Sequence, residues 1–320
     1  MKNKRIRTFI SANATLIAVV AILIIASITV NDFFSINNFV NLFKQTSMVG
    51  IIAIGGTFVI ITAGIDLSVG ALFGFASVMV GIISMYFEND FLMIIMPIIV
   101  CAGFGAFTGF CVTKLRIEPF IVTLAMMSAI RGIGLLITNG GESLMVSSDS
   151  FKIIATGSIG IIPIPAIIMI AAFIVATIVS KYTIFGRNCY AIGGNNDAAI
   201  AAGIPVNTVK FFTYVISGAC TGLAGVIVAA RTFSGNILLG DGYEMDVIAA
   251  IVLGGTLLQG GRGNMLNSMW GALIITIIGN IINLKQVSYL WEGCITGGLL
   301  LAILVVQSRM NKKQYVLAQS

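Results

Sequence analysis

The chain has 320 residues, of which 58% are hydrophobic and 9% charged, with a formal net charge of +6 and no histidine; its mean hydropathy is +1.05. Soluble domains carry about 25% charged residues, so this composition excludes a water-solvated globule. Lipid is the main solvent, and the length accommodates about ten spans with no large extramembrane domain. The basic excess reports orientation and anionic lipid headgroups rather than nucleic acid. Cys101, Cys111, Cys189, Cys220 and Cys294 form no CxxC pair. Zinc, haem and disulfide frameworks all lack their signatures, and the cysteines read as small packing residues.

In chain order, Met1–Arg7 is basic and leads into an apolar run over 8–30. That run is longer than a secretory h-region and no small-residue cleavage site follows it before Asn31, so it is read as an uncleaved first span over 9–30. Nine more spans are expected at 44–64, 67–87, 91–113, 120–138, 163–180, 208–230, 247–261, 265–283 and 288–307. All but five of the 18 Lys and Arg residues (Lys44, Arg131, Lys152, Arg231 and Lys285) fall on the side of the N-terminus. The positive-inside rule then puts both termini in the cytoplasm. The expected fold is all-α, a polytopic membrane protein of about ten helices forming one transmembrane domain over 1–320.

Function is expected where the apolar pattern breaks. At Thr62–Gly70, Gly64 is expected to end span two in a left-handed conformation, and Asp66 to cap the next helix. This stretch is either a tight helix-to-helix turn or a hinge lining a pathway together with Ser68. Arg131 lies about halfway along its span, as a buried charge or one that snorkels to the outer end. A long outer loop covers 139–162 and a long inner loop covers 181–207. Within the inner loop, Asn196 or Asp197 is expected to cap a helix of about six residues that Gly203 ends and Pro205 stops. So short a helix needs a docking surface, either its own bundle and the headgroups or another protein.

Arg231, Asp241, Glu244 and Asp246 cluster on the outer side before span eight, as a solvated loop or a docking patch for an extracellular partner. Span eight is short and contains Gly254-Gly255, which suits either a substrate path or close helix packing. Gly254-Gly255-Thr256 also echoes Gly55-Gly56-Thr57 in span two.

The chain lacks histidine, a Gly-x-Ser-x-Gly elbow and a carboxylate pair within a span, which argues against an intramembrane enzyme. It also lacks a G-x-x-x-x-G-K-[ST] loop, so any ATP must be bound by another chain. Ion-coupled carriers bury Asp, Glu or His in mid-span, whereas these spans are electrically blank apart from Arg131. That suits a conduit for a neutral solute, gated by partners.

Four stretches, in order, resemble one family: Thr62-Ala-Gly-Ile-Asp-Leu-Ser-Val-Gly70, Glu118-Pro-Phe-Ile-Val-Thr-Leu124, Ala191-Ile-Gly-Gly-Asn-Asn-Asp-Ala-Ala199 and Gly242-Tyr-Glu-Met-Asp-Val-Ile-Ala-Ala-Ile-Val-Leu-Gly-Gly-Thr256. They resemble permease subunits of ABC importers for monosaccharides, the ribose, xylose and galactoside group, and look closest to ribose-type permeases. The likeness runs from about Phe34 to Val306. It implies a second permease chain, identical or paralogous, two cytoplasmic ATP-binding subunits, and an extracytoplasmic sugar-binding protein, with no cofactor and no metal in this chain. It also implies a coupling helix over Gly194–Gly203, including Asn195, Asn196, Asp197 and Ala198. Related permeases for branched-chain amino acids, nucleosides and autoinducers keep parts of the pattern. An ion-coupled carrier is the competing reading.

Overall fold

The computed structural model describes residues 14–305 except 31, 88, 289, 290, 292, 303 and 304. The expected first span therefore lies partly outside the described residues, as does the end of the last. Within them the chain is almost wholly helical. In order come α1 (Ala14–Thr29), α2 (Ile36–Ile61), α3 (Val69–Phe87), α4 (Asp90–Thr113), α5 (Pro119–Ile137), α6 (Asp149–Thr156) and α7 (Ile164–Tyr182). Then follow α8 (Ile184–Gly194), α9 (Asn196–Ala201), α10 (Val206–Thr232), α11 (Tyr243–Leu253), α12 (Met265–Leu284) and a short apolar α13 (Gly293–Ala302). Seven of these, α2, α3, α4, α5, α7, α10 and α12, are long and apolar enough to cross a bilayer.

The helix boundaries follow from local chemistry. Ser35 opens α2 by accepting from the Asn38 N–H, Asn89 opens α4 by accepting from Leu92, and Asn264 opens α12 by accepting from Leu266. Each supplies an acceptor to a donor that the helix start leaves free. Pro119 stands at the first position of α5, where its missing N–H costs nothing.

The core is organised around α2 and α10. Some 89% of the apolar window of α2 is buried, against 28% for α4 and α5, so α2 is central and the other two face lipid. The α10 helix packs along α4, α2 and α3. Its approach to α4 is backbone-close: a Cβ on Gly222 would sit 2.9 Å from the Pro97 carbonyl, and one on Gly109 would sit 2.9 Å from that of Phe211. Small residues at such seams let backbones touch where lipid supplies no hydrophobic drive between helices. Helices α2 and α12 are joined by polar rungs instead. Asn38 and Asn280 exchange amide hydrogen bonds of 3.0 and 2.7 Å, Thr46 meets Thr276 at 2.7 Å, and the Thr57 hydroxyl donates to Ser268 at 2.9 Å.

Two expectations change. The expected span over 247–261 is the 11-residue α11, which ends at Leu253. At 1.5 Å per residue it covers about 16 Å, roughly half the hydrocarbon thickness. Gly254 is its C-cap and Gly255 adopts φ +82°, while the Gly255 and Thr256 amides close on the Val252 and Ile251 carbonyls. The glycine pair is a helix stop, unlike Gly55-Gly56, which lie inside α2. The outer loop over 139–162 is also structured. It contains α6 and pairs Leu144–Met145 with Ser234–Gly235 and Ser158–Ile159 with Ile162–Pro163, both antiparallel.

Candidate functional site

Three polar features interrupt the apolar bundle. The first is the strap 62–68 between α2 and α3. Helix α2 ends with Ala63 at φ +60°, while the Ala63 and Gly64 amides donate to the Ile60 and Val59 carbonyls. The left-handed residue is thus Ala63, not Gly64. Gly64 is needed for space, since a Cβ there would lie 2.7 Å from the Tyr214 hydroxyl. The strap then runs back beside α10, irregular backbone that the membrane tolerates because protein encloses it.

Asp66 is 7% exposed. Its Oδ1 accepts from the Ser68 N–H at 3.0 Å and the Ser68 hydroxyl at 2.6 Å, and its Oδ2 accepts from the Ser217 hydroxyl of α10 at 2.7 Å. Asp66 therefore does not cap the first turn of α3. It folds its own strap and ties that strap to α10. Gly64, Asp66 and Ser68 are all buried in the packing, and Gly254 is buried beside the backbone of Asn267.

The second feature is the α8–α9 segment at the expected cytoplasmic end. The cap of α9 is Asn195, whose Oδ1 accepts from the Ala198 N–H at 2.9 Å, rather than Asn196 or Asp197; Asp197 lies in the first turn. Gly203 has φ +77°, and the Gly203 and Ile204 amides close on the Ile200 and Ala199 carbonyls, so it ends the helix as expected. Only Ala199 of α9 is buried, and the rest of the helix is presented outward.

Just before α9, three backbones meet. The Gly261 N–H donates to the Ile61 carbonyl at 2.9 Å. A Cβ on Gly193 would overlap both, and one on Gly261 would sit 2.8 Å from Gly194. The Tyr190 hydroxyl adds a 3.1 Å bond to the Gly263 carbonyl. This joint links the end of α8, the end of α2 and the α11–α12 loop. Beside α9 a groove of about 510 Å³ runs between Arg116, Glu118, Asn196, Asn207 and Lys210, which brings the Glu118-Pro119 motif to the same face.

The third feature lies at the opposite end. A cavity of about 620 Å³ opens between α2, α10, α11, α12 and α13, with Gln45, Arg231, Asp246, Thr276, Asn283 and Thr296 on its walls. Tyr243 also lines it, stacked on Phe73 at 4.4 Å. Such a volume falls in the range of small-molecule pockets, about 300–1,000 Å³.

The structure divides the outer charged cluster. Arg231, Asp241 and Asp246 line the cavity. Asp241 also pairs with Arg131 at 2.7 Å, so Arg131 lies at the cavity end of the bundle and ties α5 to the α10–α11 connection. Glu244 turns one oxygen inward, its Oε2 buried against Gly70, while the residue as a whole stays partly exposed. Sequence reasoning missed Gln45, Asn283 and Ser217. Their signal was polar spacing within apolar helices: Thr276, Asn280 and Asn283 recur at i, i+4 and i+7, Asn38 and Gln45 at i and i+7, and Thr213, Ser217 and Thr221 at i, i+4 and i+8.

Residues 38–304 match the family model described as the branched-chain amino acid transport system / permease component. The chain is 38% identical to the ribose import permease protein of Haemophilus influenzae over 91% of both chains. It is 39% identical to that of Bacillus subtilis over 90% of this chain and 89% of the other. It is 37% identical to that of Escherichia coli K12 over 96% of both. No solved structure matches the chain.

Proposed function

The chain belongs to the branched-chain amino acid transport system / permease component family, and on that premise we propose that it is the membrane subunit of an ATP-driven importer of a monosaccharide, ribose or a sugar of similar shape. It is a multi-pass protein of the inner or plasma membrane. The observation that carries the reading is its likeness to ribose import permeases over nearly the whole of both chains. The apolar, almost charge-free spans agree with it, because a neutral sugar needs a path without fixed counter-ions.

In this reading the whole chain acts as one permease domain with both ends cytoplasmic. Two permease chains enclose the path, and two ATP-binding subunits hydrolyse ATP. Each holds a coupling helix, here α9 with Asn195, Asn196, Asp197 and Ala198 between Gly194 and Gly203. The exposed surface of α9 supports that role, as does its mechanical link through Gly193 and Gly194 to the ends of α2 and α12. The strap at Gly64–Ser68 and the helix stop at Gly254-Gly255 serve as hinges next to that link. A sugar-binding protein delivers the solute to the opposite face, near Arg231 and Asp241.

The test is uptake by the permease reconstituted in liposomes with its ATP-binding subunits and binding protein. ATP-dependent ribose uptake that requires all three is the expected result. ATP-dependent uptake of leucine, a nucleoside or an autoinducer instead would move the substrate within the family. Asp66, a buried carboxylate, is the feature that favours an ion-coupled carrier. Uptake by this chain alone, driven by a proton or sodium gradient, would establish that alternative.

A further inference from the structure

We infer that the cavity between α2, α10, α11, α12 and α13 is a transient sugar subsite of the permease itself, in which Gln45, Asn283 and Arg231 hydrogen-bond the hydroxyls of a neutral polyol. This rests on the importer reading above and assigns it a place in the chain. The cavity extends from Asn283, one residue from the end of α12, to Thr276. That is seven residues, or about 10 Å, down the helix. Gln45 stands on the facing wall, in α2.

Neither amide has a side-chain hydrogen-bond partner among the described residues, in contrast to Asn38 and Asn280 one rung away, which satisfy each other. A primary amide offers two donors and an acceptor. Gln45 is half-buried and Asn283 exposed at the cavity mouth, so both present their amides to whatever fills the cavity. Water fills it in the empty state, and sugar hydroxyls replace that water with little loss, because each hydroxyl both donates and accepts.

The charges select the class of solute. Arg231 lies close enough to Lys44 to feel its field, which repels a cation from that wall. Asp241, paired with Arg131, and Asp246 stand on the neighbouring rim, so the cavity wall carries both signs and offers no single counter-charge for an anion. A neutral polyol needs no counter-charge, and it can take guanidinium donors from Arg231 as charge-assisted bonds to adjacent hydroxyls. Tyr243, held by its stack on Phe73, gives one wall a defined aromatic position. Two amides and one cation across an open cleft make a loose site, as a conduit needs if it is to pass a solute on.

The experiment uses the complete reconstituted assembly and reads two quantities: initial uptake of radiolabelled D-ribose, D-xylose and D-allose, and ATP hydrolysis stimulated by the sugar-loaded binding protein. Asn283→Ala and Gln45→Ala are each expected to cut ribose uptake about tenfold, the scale of one lost hydrogen bond, and to shift the ribose-to-xylose ratio, with stimulated hydrolysis within twofold of wild type. Asn283→Gln, which restores the amide, should recover part of the uptake. Unchanged uptake with an unchanged sugar ratio would overturn the subsite. Proportional loss of uptake and hydrolysis at a constant ratio would overturn it too, because that pattern is damage to the assembly rather than to sugar contacts. A wild-type assembly that moves no sugar with ATP would overturn the importer reading first, and is a distinct result.

Discussion

At the scale of single residues, the most constrained group is Asp66. Both its oxygens are engaged, and one of them depends on a hydroxyl 151 residues away in sequence. Removing one partner of a hydrogen bond to a charged group costs about 1.5–3 kcal/mol. Ser217→Ala should therefore lower the thermal unfolding midpoint of the detergent-solubilised protein by a few degrees, and an unchanged midpoint would mean that the carboxylate does not rely on α10. The same contacts explain why the strap was only half legible. Gly64 is the default choice for a left-handed residue, yet Ala63 takes that conformation and Gly64 is there to make room for Tyr214. A turn can be read from its own residues, whereas a neighbour arriving from another helix cannot. The inner cap shows a milder form of this: Asn195, Asn196 and Asp197 are all good caps, and only the three-dimensional path of α8 selects Asn195.

At the scale of elements, α9 depends on its two ends, since six residues make too few internal bonds to hold a helix. Asn195→Ala should cost about 1 kcal/mol of local stability and Gly203→Ala about 1–2 kcal/mol, because alanine resists the left-handed conformation. Each is expected to reduce the amount of ATP-binding subunit that co-purifies and to slow uptake, at an unchanged permease level in the membrane. Full retention of the subunit by the double variant would remove α9 from the coupling role. The long helices were largely legible, because an 18-residue apolar run admits few alternatives. Most expected bounds fall within a few residues of α3, α4, α5, α7, α10 and α12, while α2 begins eight residues before its expected start, its polar first turns being Asn-rich. The half-length α11 escaped because apolar Leu257-Leu258 continues the pattern past the helix stop, and hydropathy does not see a change of backbone hand.

At the scale of the whole molecule, the polar features sort to two ends, with the cavity at one and α9 with its groove at the other. If both termini are cytoplasmic, α9 shares their side and the cavity opens outward. Replacing the five cysteines with alanine or serine and placing one at Asn196 or at Ser158 tests this with an impermeant thiol reagent. Asn196→Cys should label only from the cytoplasmic side and Ser158→Cys only from outside; the reverse would invert the topology. Composition made the bilayer and the basic asymmetry plain, but the cavity could not be seen because its walls come from five helices spread over some 250 residues. The meeting of Gly193, Gly261 and Ile61 has a mechanical consequence. Side chains act as springs that take up displacement by changing rotamer, but main chain pressed on main chain has no such compliance. A push received at α9 should thus reach the ends of α2 and α12 as a stiff lever delivers it, with almost no slack. A methyl group at Gly193 would jam the fulcrum rather than soften it, so Gly193→Ala should leave ATP hydrolysis running while uptake stalls.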